Sequence, residues 1–367
     1  MISAQLCALS EMKTQFIGGY FSGLQARFPD LWEASMARLL EDDTSREVGV
    51  AVLLWGGISE NILRLLLNLF QQGHVQVAAF SRLAWQAKAG NIPQVLVEEV
   101  LSALVHSVED AALQVAIQLA HFYFFDKENP RACDEILVFR LLSADQFFGR
   151  DLETMTAYYW HVVAEGFRER FPERELELLS GILAHPEYLW STRSSRGPGC
   201  IADEIVHAHP NEAWTTVSKL LESDETHGLV SWLGDEFGFD DRPQVDAIRH
   251  FDPDVIMAWV LQNPETHVRK LLRCLPKTLD EKDGGRLTKL FIEAFGDHDN
   301  VADYLIGHFW SGGWSGPESA YRAGQRNKAR QWVSETRSGK VLAWLYRYIE
   351  ALHRDIEAAE LREEREF

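Results

Sequence analysis

The feature that most constrains the fold is the spacing of the apolar residues, which follows the turn of an α-helix in one segment after another. After Ser59, apolar side chains leave only a thin polar strip and predict a helix covered on two sides. Its apolar residues are Ile62, Leu63, Leu66, Leu67 and Phe70. Segments 95–105, 111–125, 136–142 and 157–167 repeat the pattern, although 136–142 is short enough to be a strand. No hairpin signal competes with the helices. We therefore predict an all-α protein.

Proline marks several of the predicted helix starts. The X-Pro steps are Asn129-Pro130, Phe171-Pro172, His209-Pro210 and Asn263-Pro264. The first three recur about every forty residues, a period typical of two-helix repeats. Segments 28–42 and 209–223 also align without gaps. These patterns predict an α-solenoid of HEAT/TPR-like helical pairs. An irregular helical bundle remains the alternative, since many helices carry proline at their first position.

Two helix starts carry polar capping signals besides proline. Asp30, with Glu33 three residues later, predicts a capping box, and Trp32, Met36, Leu39 and Leu40 then fall on one helix face. Ser315 is the predicted N-cap of a helix over 318–335. The sequence is thus expected to cap both helices with side-chain hydrogen bonds.

Composition narrows the function classes. Hydrophobic residues make up 46% of the 367 residues, which is ample for a core. The formal charge of −19 argues against a general nucleic-acid binder, because phosphate backbones repel an acidic surface. The four cysteines form no CxxC pair, as in a reduced cytoplasmic protein. We also expect no signal peptide and no membrane span.

A polar, glycine-containing stretch at 192–199 is the clearest break near the middle of the chain. It divides N-terminal helical repeats over 1–191 from central repeats over 200–308. The segment 309–367 is expected to form C-terminal capping helices, with a charged outer face. All three segments are also compatible with one continuous array.

The C-terminal segment contains the candidate binding residues. It combines aromatic side chains with arginines at i, i+4 and i+8 of one predicted helix: Trp310, Trp314, Tyr321, Arg322, Arg326, Arg330 and Trp332. Aromatic and arginine side chains dominate protein-binding hot spots, although most of the 12 tryptophans are expected to anchor the core. The arginines could also meet nucleic-acid phosphates. We favour their pairing with acids of the last helix, including Glu350, Glu357 and Glu360.

Catalytic signals are sparse. Two ExxH sequences, Glu204 with His207 and Glu350 with His353, place a carboxylate and an imidazole on one helix face. Such faces collect metals in helical bundles, so a helical metal-dependent enzyme is the alternative function. No phosphate-binding GxxxxGK[ST] motif occurs. We expect no catalytic residue, no resident metal and no cofactor.

Several motifs together resemble the C-terminal helical-repeat regions of large bacterial anti-phage defence proteins. They are the Gly18-Gly19-Tyr20-Phe21-Ser22-Gly23-Leu24 run, Asp30-Leu31-Trp32, Trp55-Gly56-Gly57, and FWSGGWSGPES at 309–319 followed by Trp332. In those proteins the repeats follow a STAND NTPase-like or sirtuin-like core and recognise a phage component. The resemblance implies a sensor that binds a phage protein or a host effector or NTPase. This sequence has no nucleotide-binding core, so the reactions of those cores are not implied.

These observations predict a non-catalytic module that binds protein. Besides the metal-dependent enzyme, a third hypothesis is an acidic mimic of nucleic acid or an adaptor. That hypothesis needs a regular stripe of carboxylates, which sequence alone does not establish.

Overall fold

The computed structural model describes residues 11–53, 57–84, 86, 92–109, 111–148, 154–186, 189, 197–223, 227–234, 247–310 and 315–366. Within these ranges it is all-α, with 18 α-helices and no strand. This confirms the prediction of an all-α protein. The run at 136–142 is a helix, since α7 covers Glu135–Leu142 and the Asp134 side chain accepts a hydrogen bond of 2.8 Å from Leu137 N at its start. None of the described helices has both the length and the apolar content of a membrane crossing.

The chain divides into two compact units, Met1–Leu178 with Ser194–Ile201, and Leu179–Arg193 with Ala202–Phe367. Helices of the first unit are α1 (Glu11–Arg27), α2 (Pro29–Glu41), α3 (Arg46–Leu53), α4 (Glu60–Gln71), α5 (Gln94–Val105), α6 (Ala112–Phe124), α7 (Glu135–Leu142) and α8 (Thr154–Arg170). Two helices, α9 (Glu175–Leu183) and α10 (Pro198–Ala208), have residues in both units. The predicted boundary at 192–199 overlaps residues 191–196, which lie outside the described part of the chain.

The second unit continues with α11 (Pro210–Glu222), α12 (His227–Leu233), α13 (Pro253–Gln262), α14 (Pro264–Leu272), α15 (Gly285–Phe295), α16 (Asp299–Trp310), α17 (Glu318–Glu335) and α18 (Gly339–Glu366). In each unit, helices close in sequence pack side by side. Thus α1 to α3 contact one another, α5 packs on α6, and α6 packs on α8. In the second unit α13 contacts α14 and α15, and α18 contacts α15, α16 and α17.

Four X-Pro steps start a helix with the same backbone conformation. Phe28, Phe171, His209 and Asn263 precede the prolines with φ between −145° and −130° and ψ between 56° and 75°. Proline disfavours the α region for the residue before it, so the helix begins at the proline. Pro172 opens a short 3₁₀ turn (Pro172–Arg174) that leads into α9, and the other three open α-helices directly.

Three sequence predictions of helix starts are wrong. Pro130 lies in a loop, and α7 begins five residues later behind its Asp134 cap. No side chain caps α2, because Pro29 opens this helix and Asp30 falls within its first turn. Ser315 is exposed, and Pro317 occupies the N-cap position of α17 without a side-chain hydrogen bond. At these two helices the fixed φ of proline sets the start instead.

The predicted apolar faces form the core. In α2, Trp32, Met36, Leu39 and Leu40 are all buried, as the helical spacing requires. In α4, Ser59 caps the helix by accepting a hydrogen bond from Ile62 N, and the predicted apolar residues are buried except Phe70, which is half-buried. The fully buried tryptophans Trp160, Trp232 and Trp344 likewise anchor helices. Most tryptophans of the described chain therefore serve packing, as expected.

Candidate protein-binding surface

The predicted site lies on a helical hairpin made by α17 and α18. The two helices are joined by residues 336–338 and run antiparallel, since the start of α17 meets the end of α18. There Ser319 donates from its N–H and its hydroxyl to Glu363, at 3.0 and 2.6 Å. These two hydrogen bonds lower the pKa of the Glu363 carboxyl. Arg362 closes the same end by pairing with Glu318 at 2.9 Å.

An aromatic cluster fills the space between α16 and the hairpin. The Phe309 ring lies 6.1 Å from Trp332, 5.2 Å from Trp344 and 5.7 Å from Tyr348, centroid to centroid. Trp344 and Tyr348 stack with an interplanar angle of 15°. Burial raises the pKa of the Tyr348 phenol, so this side chain is neutral at physiological pH. Trp332 is therefore part of the core and is only 5% exposed.

Arg322 ties the end of α16 to the start of α17. It is only 7% exposed, and its guanidinium donates to the Trp310 carbonyl at 3.2 Å and pairs with Glu318 at 3.4 Å. The neighbouring Gln325 amide donates to the Phe309 carbonyl at 3.2 Å. The last carbonyls of a helix have no intrahelical hydrogen-bond partner. The Arg322 and Gln325 side chains provide donors for two of these carbonyls at the end of α16. Burial thus makes Arg322 a structural residue of the hairpin.

Asp280 anchors the second half of α17. The Trp332 indole donates to its carboxylate at 2.7 Å, and the Lys328 ammonium lies 3.3 Å from the second oxygen. The same ammonium sits 5.2 Å from the centre of the Trp332 ring. Burial pushes the pKa of Asp280 up, but hydrogen bonds from Trp332, Lys328 and Thr278 bring it below the ordinary value. The ionised carboxylate is therefore the form that this arrangement stabilises.

We expect Asp280→Asn to lower the free energy of unfolding at pH 7 by about 1 kcal/mol, because the charge-assisted contact with Lys328 is lost. A carboxyl whose pKa is lowered on folding stabilises above its unfolded pKa of about 4 and loses this contribution as pH falls through the lowered value. Urea unfolding of both proteins at several values between pH 2.5 and 7 measures this. The difference between them should shrink towards low pH. A difference that is constant with pH would contradict the role of the charge.

Arg326 and Arg330 remain at the surface of α17, and we call them the α17 arginines. Arg326 is half-buried and Arg330 is exposed. Neither makes an ion pair with a described acid, and the expected pairs with Glu350, Glu357 and Glu360 do not form. Arg322, which shares their stripe, turns to Glu318 of its own helix and to the end of α16.

Four other cations of this hairpin are paired with acids. Lys328 pairs with Asp280, Lys340 with Asp297, Arg347 with Asp299 and Asp303, and Arg362 with Glu318. Unlike these four cations, the α17 arginines make no ion pair with a described acid, and exposed Arg354 and Arg365 of α18 make none either. Half-buried Trp310 and Tyr321 lie on either side of Arg322, with ring centres 5.8 and 5.6 Å from its guanidinium carbon. Trp314, the remaining predicted residue, lies outside the described residues.

The two ExxH sequences do not come together. His353 is exposed and its Nε2 lies 3.5 Å from Glu357, one turn further along α18. His207 is exposed and its Nδ1 lies 3.2 Å from Nδ1 of His250. No group of three or more metal-ligating side chains in the described chain includes members of both motifs. The geometry therefore gives no support to a metal bound jointly by both motifs.

Sequence reasoning missed the acids that build this site. Asp280 lies 52 residues from Trp332, and Glu363 lies 44 residues from Ser319. No local pattern marks either carboxylate. In the first unit, Gly57 N donates to the Gln25 side chain of α1 at 2.9 Å.

Comparisons with known protein families, with curated proteins and with solved structures find no match for this chain.

Proposed function

We propose that this chain is a non-catalytic helical-repeat protein of the cytoplasm that binds a protein partner through the hairpin of α17 and α18. The observation that carries the proposal is that neither α17 arginine makes an ion pair with a described acid, in a chain with a formal charge of −19. Lys328 and Arg347 nearby do pair with acids of the chain. An acidic surface of a partner supplies the missing charge.

A protein fits this surface better than a nucleic acid does. The α17 arginines are two charges among paired acids, whereas phosphate binding needs an extended positive field. Trp310 and Tyr321 add half-buried aromatic surface beside Arg322, which is one turn before Arg326 on α17, and protein interfaces are enriched in aromatic residues and arginine. Arginine also forms bidentate hydrogen bonds with carboxylates, which gives the contact a direction.

The resemblance to defence proteins supplies the biological part of this proposal. We propose that the helices form a HEAT/TPR-like solenoid, and that the partner is a phage protein or a host effector such as an NTPase. The chain then acts as a sensor of the phage protein or as a regulatory subunit of the host effector. It catalyses no reaction itself. Pairs of adjacent helices in both units support the repeat arrangement.

The test is capture from lysates of phage-infected and uninfected bacteria, read by mass spectrometry. The bait proteins are the wild type, the double variant Arg326→Ala/Arg330→Ala and the control Arg354→Ala/Arg365→Ala. The control removes two exposed arginines of α18 and the same net charge. We expect one protein whose recovery falls at least about tenfold with the α17 variant and stays unchanged with the control, since interface arginines are frequent hot spots.

If the protein whose recovery depends on the α17 arginines is a phage protein, the result supports the sensor hypothesis. If it is a host NTPase, the result supports a role as its regulatory subunit. Equal recovery of every protein by both variants would overturn the proposed surface. Circular dichroism of each variant checks that helical content is unchanged.

A further inference from the structure

Two open cavities adjoin in the first unit, far along the sequence from the α17 arginines. The first, of about 780 Å³, lies between the ends of α4 and α5. The second, of about 610 Å³, lies between the 3₁₀ turn Val77–Phe80 and the starts of α6 and α8. Glu109 lines both cavities, so they adjoin at this residue, and we call them the two lobes of the groove. Each lobe lies within the size range of ligand sites.

Apolar side chains stand exposed in both lobes. Val108 in the first lobe is 99% exposed and Met155 in the second is 50% exposed. Leu67 and Phe70 add to the wall of the first lobe, and Tyr159 adds to that of the second. Covering such apolar surface on binding stabilises a complex.

Between these apolar points the lining is rich in side-chain amides. They are Asn68 and Gln71 in the first lobe, and Gln76, Gln114 and Gln118 in the second. Each amide offers donors and an acceptor, the same set that a peptide main chain requires. An extended peptide has free N–H and C=O groups, whereas a bound helix has satisfied its own. The lining therefore favours an extended chain.

The charge of the groove is negative. No described residue that lines either lobe is lysine or arginine, and the only carboxylates are Glu99 and Glu109. The Glu99 carboxylate already has a cationic neighbour, since the Arg64 guanidinium lies 3.7 Å from it. Glu109 is held in place by the Val77 N–H, which donates to its carboxylate at 3.0 Å. A fixed carboxylate at the junction of the two lobes attracts a basic side chain.

We propose that this groove binds an extended segment of a partner protein, with a lysine or arginine at Glu109 and apolar side chains against Val108 and Met155. Nucleic acids and lipid headgroups present phosphates, whereas the described lining residues include no lysine or arginine. The site belongs to the first unit and is independent of the proposed function of the α17 arginines.

The test uses arrayed pools of ten-residue peptides with random sequence and one fixed central residue. Labelled full-length protein is applied to pools that carry lysine, arginine, alanine or glutamate at the centre. We expect the lysine and arginine pools to retain at least about fivefold more protein than the glutamate pool, because the basic residue pairs with Glu109.

Two variants and one control connect the binding to the groove. Glu109→Gln keeps the hydrogen bond from Val77 but removes the charge, and should abolish the preference for a basic centre. Val108→Ser should lower retention on the basic pools, and it cannot disturb folding through lost packing because Val108 is almost fully exposed. Glu47→Gln on α3 is exposed, lies outside the groove and should change nothing.

Retention of the same basic preference by Glu109→Gln would overturn the proposal, as would a preference for the glutamate pool or no pool above background. The double variant Arg326→Ala/Arg330→Ala should bind the basic pools like the wild type. Loss of lysate capture with normal peptide binding, or the reverse, therefore separates the two proposals.

Discussion

Replacement of Trp344 by alanine is expected to lower the free energy of unfolding by about 3–5 kcal/mol. Trp344 is only 1% exposed and touches Phe309 and Tyr348, so alanine leaves a large cavity between α16 and α18. Its indole N–H has no hydrogen-bond partner among the described residues. The loss is therefore one of packing, without a broken hydrogen bond.

Tyr346→Ala is the matched control for this substitution. It removes an aromatic ring two residues away on the same helix, but from a side chain that is 60% exposed. Its expected effect is within about 0.5 kcal/mol. Urea unfolding of the two variants and the wild type, followed by far-ultraviolet circular dichroism, measures the difference. Similar losses in both variants would show that the aromatic cluster is not the core of the hairpin.

The helices were predictable because their information is local. Trp32, Met36, Leu39 and Leu40 are spaced so that they share one helix face. This face is apolar whichever element packs on it, so the sequence alone predicts its burial. The helix expected over 318–335 has these bounds in the structure. Proline steps were predictable in the same way where the following residues continue a helix. After Pro130 they do not, and the cap at Asp134 decides where α7 begins.

The roles of the arginines were not predictable, because they depend on contacts across the sequence. Arg322 and Arg326 are one turn apart on α17, yet only Arg322 lies beside the carbonyl of Trp310. Their spacing in the sequence predicts the same role for both arginines. Only Arg322, however, contacts the end of α16. Asp280 escapes prediction for the same reason, since its partner Trp332 lies three helices later in the chain.

The groove was also beyond sequence analysis. Its lining comes from α4, α5, α6 and α8 and from the turns between them, and no single segment contributes a recognisable motif. Glutamines spread over residues 71–118 have no pattern until the helices place them along one surface. The two proposed sites therefore rest on three-dimensional placement, whereas the fold class follows from periodicity.

Gly285→Ala is expected to destabilise the protein by about 3 kcal/mol, an effect of overpacking. A Cβ at this position would overlap the carbonyl carbon of Leu279 and lie 2.5 Å from Asp280 N, and both are backbone atoms that cannot rotate away. The close approach is fixed by the Gly285 N–H, which donates to the Asp280 carbonyl at 2.9 Å. Preceding Gly284, at φ +83°, makes the turn that brings α15 to this point.

The same substitution at Gly324 should act in the opposite direction. Gly324 is exposed in the interior of α17, and a Cβ there meets no atom within 4 Å. Alanine lowers the conformational entropy of the unfolded chain and should stabilise by about 0.5–1 kcal/mol. Urea unfolding of the two variants tests the difference in sign. Equal effects would mean that the backbone at 279–280 moves easily to make room for the new Cβ. Asp280 would then not be held firmly enough to anchor Trp332 and the hairpin that presents the α17 arginines.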